Sequence, residues 1–384
     1  MKFLVAPDKF KGSLSAQEVA ENIARGIRDV FQDTEIKIAS MADGGEGTAE
    51  AIYNVRGGKW VICSAHGPLG DPIEASYVWL GKSAVIEMSE AAGMRRLKNT
   101  VGDVLRANTF GVGEMLRDAA KRGAREIIIG LGGSATNDGG LGMARALGFR
   151  FLREGENELT DVASLVKLTR IVPPSPQFSP RGRGKREAVG GGHFSQVFDV
   201  VWSSRIIAAV DVKNPLLGRN GATRTFGPQK GATPEQLEIL ERSLTHLADT
   251  VTRDLACDFR NEPGAGAAGG LGFGLMSFCD AKVRPGFEVV AEAVELEQKI
   301  KGADVIITGE GKLDNQTLEG KTPAGVADLG RRFGKRVFAI VGCAEANSKA
   351  RDLFDGVYEL AGPIPEAKEL LRERARELAA ALKS

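Results

Sequence analysis

Residues 125–148, REIIIGLGGSATNDGGLGMARALG, decide how the rest of the chain is read. A β-branched run from Ile127 to Ile129 stops at Gly130, glycines flank a small polar set, and an Ala/Leu-rich helical pattern follows. This order predicts a strand, a glycine loop and a helix. Glycine lets the backbone adopt φ > 0 and approach a ligand closely, and a helix N-terminus offers unpaired N–H groups to an anion. Gly132, Gly133, Ser134, Asn137 and Asp138 are therefore candidate phosphate ligands. The same residues also fit a tight turn in which Asn137 or Asp138 caps the helix. Gly130 to Ala135 satisfies G-x-G-x-x-A as well, which keeps a dinucleotide site open. Its ribose carboxylate, about 20 residues on, would be Glu154 or Glu156.

The whole chain narrows the field. Its 384 residues suffice for about two domains of ~100–200 residues each. With 51 basic and 50 acidic residues the net charge is +1, so there is neither a basic footprint for nucleic acid nor an acidic tail. Small-molecule partners are expected. Cys63, Cys257, Cys279 and Cys343 show no C-x-x-C spacing, and His66, His193 and His246 are the only histidines, which argues against zinc clusters and disulfide frameworks. The opening MKFLVAPD is too short an apolar run for a signal peptide, and nowhere do 18 apolar residues follow one another. A cytoplasmic enzyme with no membrane partner is the expectation. Its 49 glycines cluster after apolar runs, which suggests several ligand-facing loops.

Taken from the N-terminus, Lys2 to Ala6 reads as a buried strand that ends in Pro7-Asp8-Lys9-Phe10-Lys11-Gly12-Ser13. Ser15 and Glu18 form a capping box for a helix to about Phe31. Asp8, Lys9, Lys11 and Ser13 thus stand where open α/β sheets bind ligands, beyond a strand's C-terminal end. A second strand, Glu35 to Ala39, leads into Asp43, Gly44, Gly45, Glu46, Gly47 and Thr48 and a helix to about Asn54. A carboxylate in a glycine loop can hold Mg2+ or accept a substrate proton, and Thr48 can bind phosphate or cap the helix. Lys59 to Glu87 alternates as a β-meander, with His66 at a turn. Glu87 and Glu90 follow as further carboxylates, and a helix is expected over Thr100 to Arg122.

Beyond the opening stretch, Phe149 to Leu152 reads as a strand. From Ile171 to Gly192 the chain is rich in Pro, Gly and Arg and buries little, so a surface loop is expected. Strand Ile206 to Val210 ends in Asp211, Val212, Lys213 and Asn214, and FGPQKGA brings Lys230 before a helix over Pro234 to Leu255. GAGAAGG, 264–270, contains a literal G-x-G-x-x-G, but no strand precedes it. Its glycines instead imply a close backbone approach ahead of a helix over Leu271 to Leu275. Strand Val305 to Thr308 runs into Gly309, Glu310, Gly311, Asp314, Gln316 and the triplet Gly320-Lys321-Thr322. That triplet is no P-loop, because Asn315 stands where the first glycine belongs. Strand Arg336 to Val341 and a surface helix from Glu366 to Lys383 close the chain.

In sequence order, APDKFKGS, MADGGEGT, GLGGSATNDGG, DVKNPL, FGPQKGA, GAGAAGGLGFG and TGEGKLDNQT resemble the signature blocks of the bacterial glycerate kinase family over about residues 1 to 360. The resemblance implies ATP-dependent phosphorylation of D-glycerate, usually at the 2-hydroxyl to give 2-phosphoglycerate, with Mg2+ and without a P-loop; 3-phosphoglycerate is the other product. It also implies two α/β domains with the active site in a cleft: a discontinuous Rossmann-like domain, 1–60 and 285–384, and a central α/β domain, 61–284. A homodimer is compatible with it. The basic Pro/Gly-rich insertion near 171–205 fits none of the blocks.

Phosphoryl transfer requires cations on the γ-phosphate, a metal, and a carboxylate for the hydroxyl proton. Lys9 and Lys11 are assigned to phosphoryl charge or the glycerate carboxylate. Asp43 or Asp211 serves as base or magnesium ligand. Asp8, Ser13, Gly44, Gly45, Gly47, Thr48, Gly132, Gly133, Ser134, Asn137, Asp138, Asn214, Lys230, Glu310, Asp314 and Gln316 are the expected substrate and phosphate contacts. An NAD(P)-dependent oxidoreductase of a small hydroxy acid is the rival reading, and a non-enzymatic sensor the third. The repeated acidic loops count against hydride transfer.

Overall fold

The computed structural model describes residues 1–97, 103–174, 201–360 and 364–383. It has the α/β character expected of the sequence and divides into two compact units, Met1–Gly57 with Pro285–Ser384, and Gly58–Arg284. None of the described helices is long and apolar enough to cross a membrane.

The first unit is a five-stranded sheet ordered Gly356–Glu359, Arg336–Val341, Val305–Thr308, Lys2–Val5, Glu35–Ile38. Every neighbouring pair is parallel. All five strands therefore end at one edge, where the loops that follow them gather. Continuous apolar runs such as VIIT at 305–308, buried throughout, suit strands covered on both faces. Ser15 and Glu18 form the expected reciprocal capping box on helix Ala16–Val30. One face of that helix buries Val19, Ile23 and Ile27 in a cluster with Leu371, Ala375 and Leu378 of the closing helix, Ala367–Lys383.

The second unit contains a six-stranded sheet ordered Lys282–Pro285, Arg205–Val210, Glu126–Gly130, Ser83–Glu87, Pro72–Trp79, Lys59–His66. The meander supplies its antiparallel part. Ser83–Glu87, Glu126–Gly130 and Arg205–Val210 run parallel. Glu87, Gly130 and Val210 consequently share one edge. Ile127 and Ile129 are fully buried, each worth about 1.5–3 kcal/mol relative to exposure.

One expectation changes, the expected strand at 149–152 forms, and one segment lies outside the described residues. Of the helix sought over Thr100 to Arg122, residues 100–102 lie outside the described residues, and the helix found is Phe110–Lys121. Asp103–Leu105 is a separate 3-10 turn, and the Asn108 side chain accepts from the Phe110 N–H at 3.0 Å, so a local side-chain bond sets the helix start. Arg150–Arg153 is not part of the large sheet but pairs with Leu168–Val172 in a two-stranded ribbon. Most of the Pro/Gly/Arg-rich segment, 175–200 with His193, lies outside the described residues.

The segment 264–270 makes the close approach its glycines imply. At Gly269, φ is +68° and a Cβ would stand 2.0 Å from the Thr136 carbonyl oxygen. The Gly139 N–H donates to the Gly269 carbonyl at 3.1 Å. The segment thus backs the loop of the opening stretch, and regular helix begins only after Gly270, since Ala268, Gly269 and Gly270 all have positive φ.

Candidate functional site

In the first unit the loop ends are stitched to one another. The Asp8 N–H donates to Gly309 O at 2.8 Å, the Met41 N–H to Pro7 O at 2.9 Å, and the Gly342 N–H to Glu310 O at 3.1 Å. Asp8 is 8% exposed. Its Oδ1 accepts from the Lys9 N–H and its Oδ2 from Thr322 Oγ1, both at 2.7 Å. Burial, and then the charge of Asp43, push the Asp8 carboxyl up to about 7. Glu310 is likewise pushed up to about 7 by burial, although Thr317 Oγ1 donates to it at 2.6 Å. Asp43, half-buried, accepts from the Gly45 N–H at 3.1 Å. Gly286 packs onto its backbone, where a Cβ would lie 1.8 Å from Asp43 O.

The neighbouring candidates divide. Lys9 Nζ donates to the Glu46 carbonyl oxygen. Gly44 and Gly47 both have φ of +94°, and Thr48, fully buried at the start of helix Thr48–Arg56, has a hydroxyl without a partner among the described residues. Lys11 is exposed and Ser13 half-buried. Asp314 is occupied with capping the 3-10 turn Asn315–Glu319 and lies 3.4 Å from Lys312 Nζ, while Gln316 is exposed in that turn.

A divalent cation suits this acidic set. Asp43 raises the pKa of both Asp8 and Glu310, so like charges are held close, while Lys9 lowers the first and Lys321 the second. Among the described residues no cluster of three or more His, Cys, Asp or Glu is arranged as a metal cage. Mg2+ does not require one: it uses one or two carboxylates, substrate phosphates and water.

In the second unit the opening stretch folds into a buried polar loop. Ser134 is 9% exposed, and Thr136, Asn137 and Asp138 are fully buried. The anticipated helix, Leu141–Ala146, has only six residues. Its first amides are not open to a phosphate, because Asp138 accepts from the Gly140 N–H at 3.1 Å and the Gly142 N–H at 2.9 Å. Asp138 also accepts from the Thr109 N–H and Oγ1, each at 2.9 Å. The Met143 N–H in turn donates to Thr109 Oγ1 at 2.9 Å. The expectation of an anion at this helix end is corrected: the protein's own carboxylate fills it, and Asp138 positions the loop. Gly132 is half-buried and Gly133 exposed.

The cation of this loop comes from elsewhere. Lys230, 6% exposed, donates to Thr136 O at 2.6 Å and Ser134 Oγ at 3.3 Å. No carboxylate forms a salt bridge with it among the described residues. Burial drives its ammonium down to about 7, against the opposing pull of Asp138. A buried cation without a counter-ion costs several kcal/mol and is the natural receptor for an anionic ligand group. Asn137 donates to Thr223 Oγ1 at 2.9 Å, and its Oδ1 has no partner among the described residues. Asp211 is exposed just beyond strand Arg205–Val210, whereas Asn214 ties its own loop through Asn220 O at 2.7 Å.

Other singled-out residues serve structure. His66 Nδ1 lies 3.0 Å from Glu114 Oε2, and Glu90 pairs with Arg95 and Arg96. The oxidoreductase reading loses its support, since Glu154 and Glu156 are exposed at the turn of the small ribbon and the fingerprint's helix end is filled by Asp138. Sequence reading missed Thr322, which reaches Asp8 from the triplet dismissed as a failed P-loop, and Thr109, which braces Asp138. A hydroxyl residue opening a helix right after Gly-Lys was the available signal for Thr322.

A family model described as the glycerate kinase family matches residues 3–384. The glycerate kinase of Bacillus subtilis (strain 168) is 37% identical over 402 aligned residues, covering 100% of this chain and 98% of the relative. The glycerate 2-kinase of Escherichia coli (strain K12) is 39% identical over 352 residues, covering 89% of this chain and 85% of the relative. A crystal structure from Salmonella typhimurium LT2, described as a glycerate kinase 2, superposes with a TM-score of 0.85 at 39% identity, covering 100% of this chain and 98% of that one.

Proposed function

The chain belongs to the glycerate kinase family of phosphotransferases, and on that premise we propose that it transfers the γ-phosphoryl group of ATP to the 2-hydroxyl of D-glycerate, with Mg2+, in the cytoplasm. The observation that carries the position of transfer is the 39% identity, across 89% of this chain, to a protein named glycerate 2-kinase.

The residue roles follow from the chemistry of each unit. Asp8 is the base that takes the 2-hydroxyl proton: its carboxyl, pushed up to about 7, is matched to proton transfer near neutrality. Thr322 holds that carboxylate in place through its 2.7 Å bond. Asp43 would hold Mg2+, which when bound neutralises phosphate charge. Lys9 answers the carboxylate of the acceptor, with Lys11, Ser13, Gly44, Gly45, Gly47, Thr48, Glu310 and Gln316 as surrounding contacts. In the second unit Lys230 receives an anionic phosphoryl oxygen, with Ser134, Gly132 and Gly133 beside it, and Asp211 as a further ligand-facing carboxylate. Loose phosphoryl transfer states are stabilised mainly by positioning and charge, which is what these groups supply.

A coupled assay tests the proposal. ATP-dependent consumption of D-glycerate without change in NAD(P)H supports it, and absence of turnover with ATP refutes it.

A further inference from the structure

A cavity of about 160 Å3 lies wholly within the first unit, between the start of helix Ala16–Val30 and helix Thr48–Arg56. Asp8, Lys9, Gln17, Ser40, Glu50 and Ala51 are among the residues that line it. A cavity of about 150 Å3 holds a ligand the size of benzene, so this one admits a three-carbon acid and is far too small for a nucleoside triphosphate.

Its walls are chemically divided. Gln17 is fully used: its Oε1 accepts from Ser40 Oγ at 2.7 Å and Asn54 Nδ2 at 3.4 Å, and its Nε2 donates to Glu21 Oε1 at 2.9 Å. Glu50 is half-buried in the first turn of its helix, and its carboxylate makes no hydrogen bond or ion pair among the described residues. Among the described residues Lys9 is the only cation in the lining, which otherwise carries the carboxylates Asp8, Glu46 and Glu50. Such a surface suits hydroxyl donors more than a second anion, and it has one place for a carboxylate, at Lys9.

Resting on the glycerate reading above, we propose that this cavity seats the acceptor's terminal hydroxymethyl group, with Glu50 accepting from the 3-hydroxyl and Lys9 holding the carboxylate. The 3-hydroxyl is then sequestered on Glu50, and the 2-hydroxyl is the one left beside Asp8. The cavity is therefore the determinant of both acceptor size and the hydroxyl that reacts. A site built to bind a substrate hydroxyl rejects the analogue lacking it, by factors of up to about 10^4 to 10^5.

The test compares D-glycerate with D-lactate, which lacks the 3-hydroxyl, in the full-length wild type, Glu50→Leu and Ser40→Ala. Glu50→Leu is expected to lower kcat/KM for D-glycerate at least tenfold, leave KM for ATP within twofold, and shrink the preference over D-lactate by the same factor. An unchanged preference, or an equal rise in KM for ATP, overturns the inference. Calorimetric binding of D-glycerate separates this outcome from failure of the catalytic reading. If the wild type binds glycerate but transfers no phosphate to it, the activity assignment falls, while tenfold weaker binding by Glu50→Leu still upholds the cavity. Equal binding by the two proteins, or none by the wild type, overturns the cavity as well.

Discussion

Replacing Lys230 by Met should make the protein more stable and much less active. The depression of its ammonium from 10.5 to about 7, at about 1.4 kcal/mol per pH unit, corresponds to a charge-burial cost of roughly 4–5 kcal/mol. Methionine removes that cost but leaves Thr136 O and Ser134 Oγ without their donor, a loss of about 1–3 kcal/mol. The net gain at pH 7 is therefore about 2 kcal/mol. Its pH dependence has a definite sign. Below pH 7 both folded and unfolded lysine are charged and the cost is present in full. Between 7 and 10.5 the unfolded chain binds the extra proton, so wild-type stability rises with pH. The advantage of Lys230→Met should shrink accordingly and vanish by about pH 9. Trp60, Trp79 and Trp202 are the only tryptophans and all lie within Gly58–Arg284, so their fluorescence during urea unfolding reports the second unit. Turnover should fall by about 10^2 to 10^3, the usual cost of losing one charge-stabilising donor. A variant destabilised at pH 7, or a gain that does not change with pH, would refute the claim that a buried, unpaired ammonium is kept for a ligand.

Four further outcomes follow from the same geometry. Asp43→Asn should cut kcat by orders of magnitude while leaving the circular dichroism and melting profile intact; near-normal turnover removes Asp43 from the site. Because the base must be ionised, kcat/KM for D-glycerate should rise with pH through about 7, and a rate flat between pH 5.5 and 8.5 would argue against Asp8. Thr322→Val deletes a bond that lowers the Asp8 pKa, so the acidic limb should move to higher pH, and an unmoved limb would leave Thr322 a purely structural role. Gly269→Ala meets both a positive φ and a Cβ position 2.0 Å from Thr136 O; a loss of more than about 2 kcal/mol in urea is expected, and a neutral result would contradict the packing of 264–270 on the loop.

The strands were legible because β-branched runs bounded by Gly and Asp carry their own punctuation. Val305–Thr308, Arg336–Val341 and the capped helix Ala16–Val30 appear where pattern places them. The opening loop was legible as a turn with a capping carboxylate, but not as a closed one. Asp138 finds Thr109 29 residues away, and pairing at that range leaves no local trace. Thr322 is harder still, since it reaches Asp8 across 314 positions. Nothing in the Gly, Pro, Gln and Lys around Lys230 announces its burial, which tertiary packing alone brings about. Local periodicity therefore announces strands, helices and candidate loops, while the burial that tunes Asp8, Glu310 and Lys230 depends on what folds over them.

The central claim is regiospecific transfer to the 2-hydroxyl of D-glycerate. Its most direct test is 31P NMR of the product formed from D-glycerate, ATP and Mg2+, with the phosphorus coupling read at the carbon-bound proton. The account predicts a phosphate coupled to the single C2 proton, that of 2-phosphoglycerate; coupling to the C3 methylene protons, or no new phosphate ester, would contradict it.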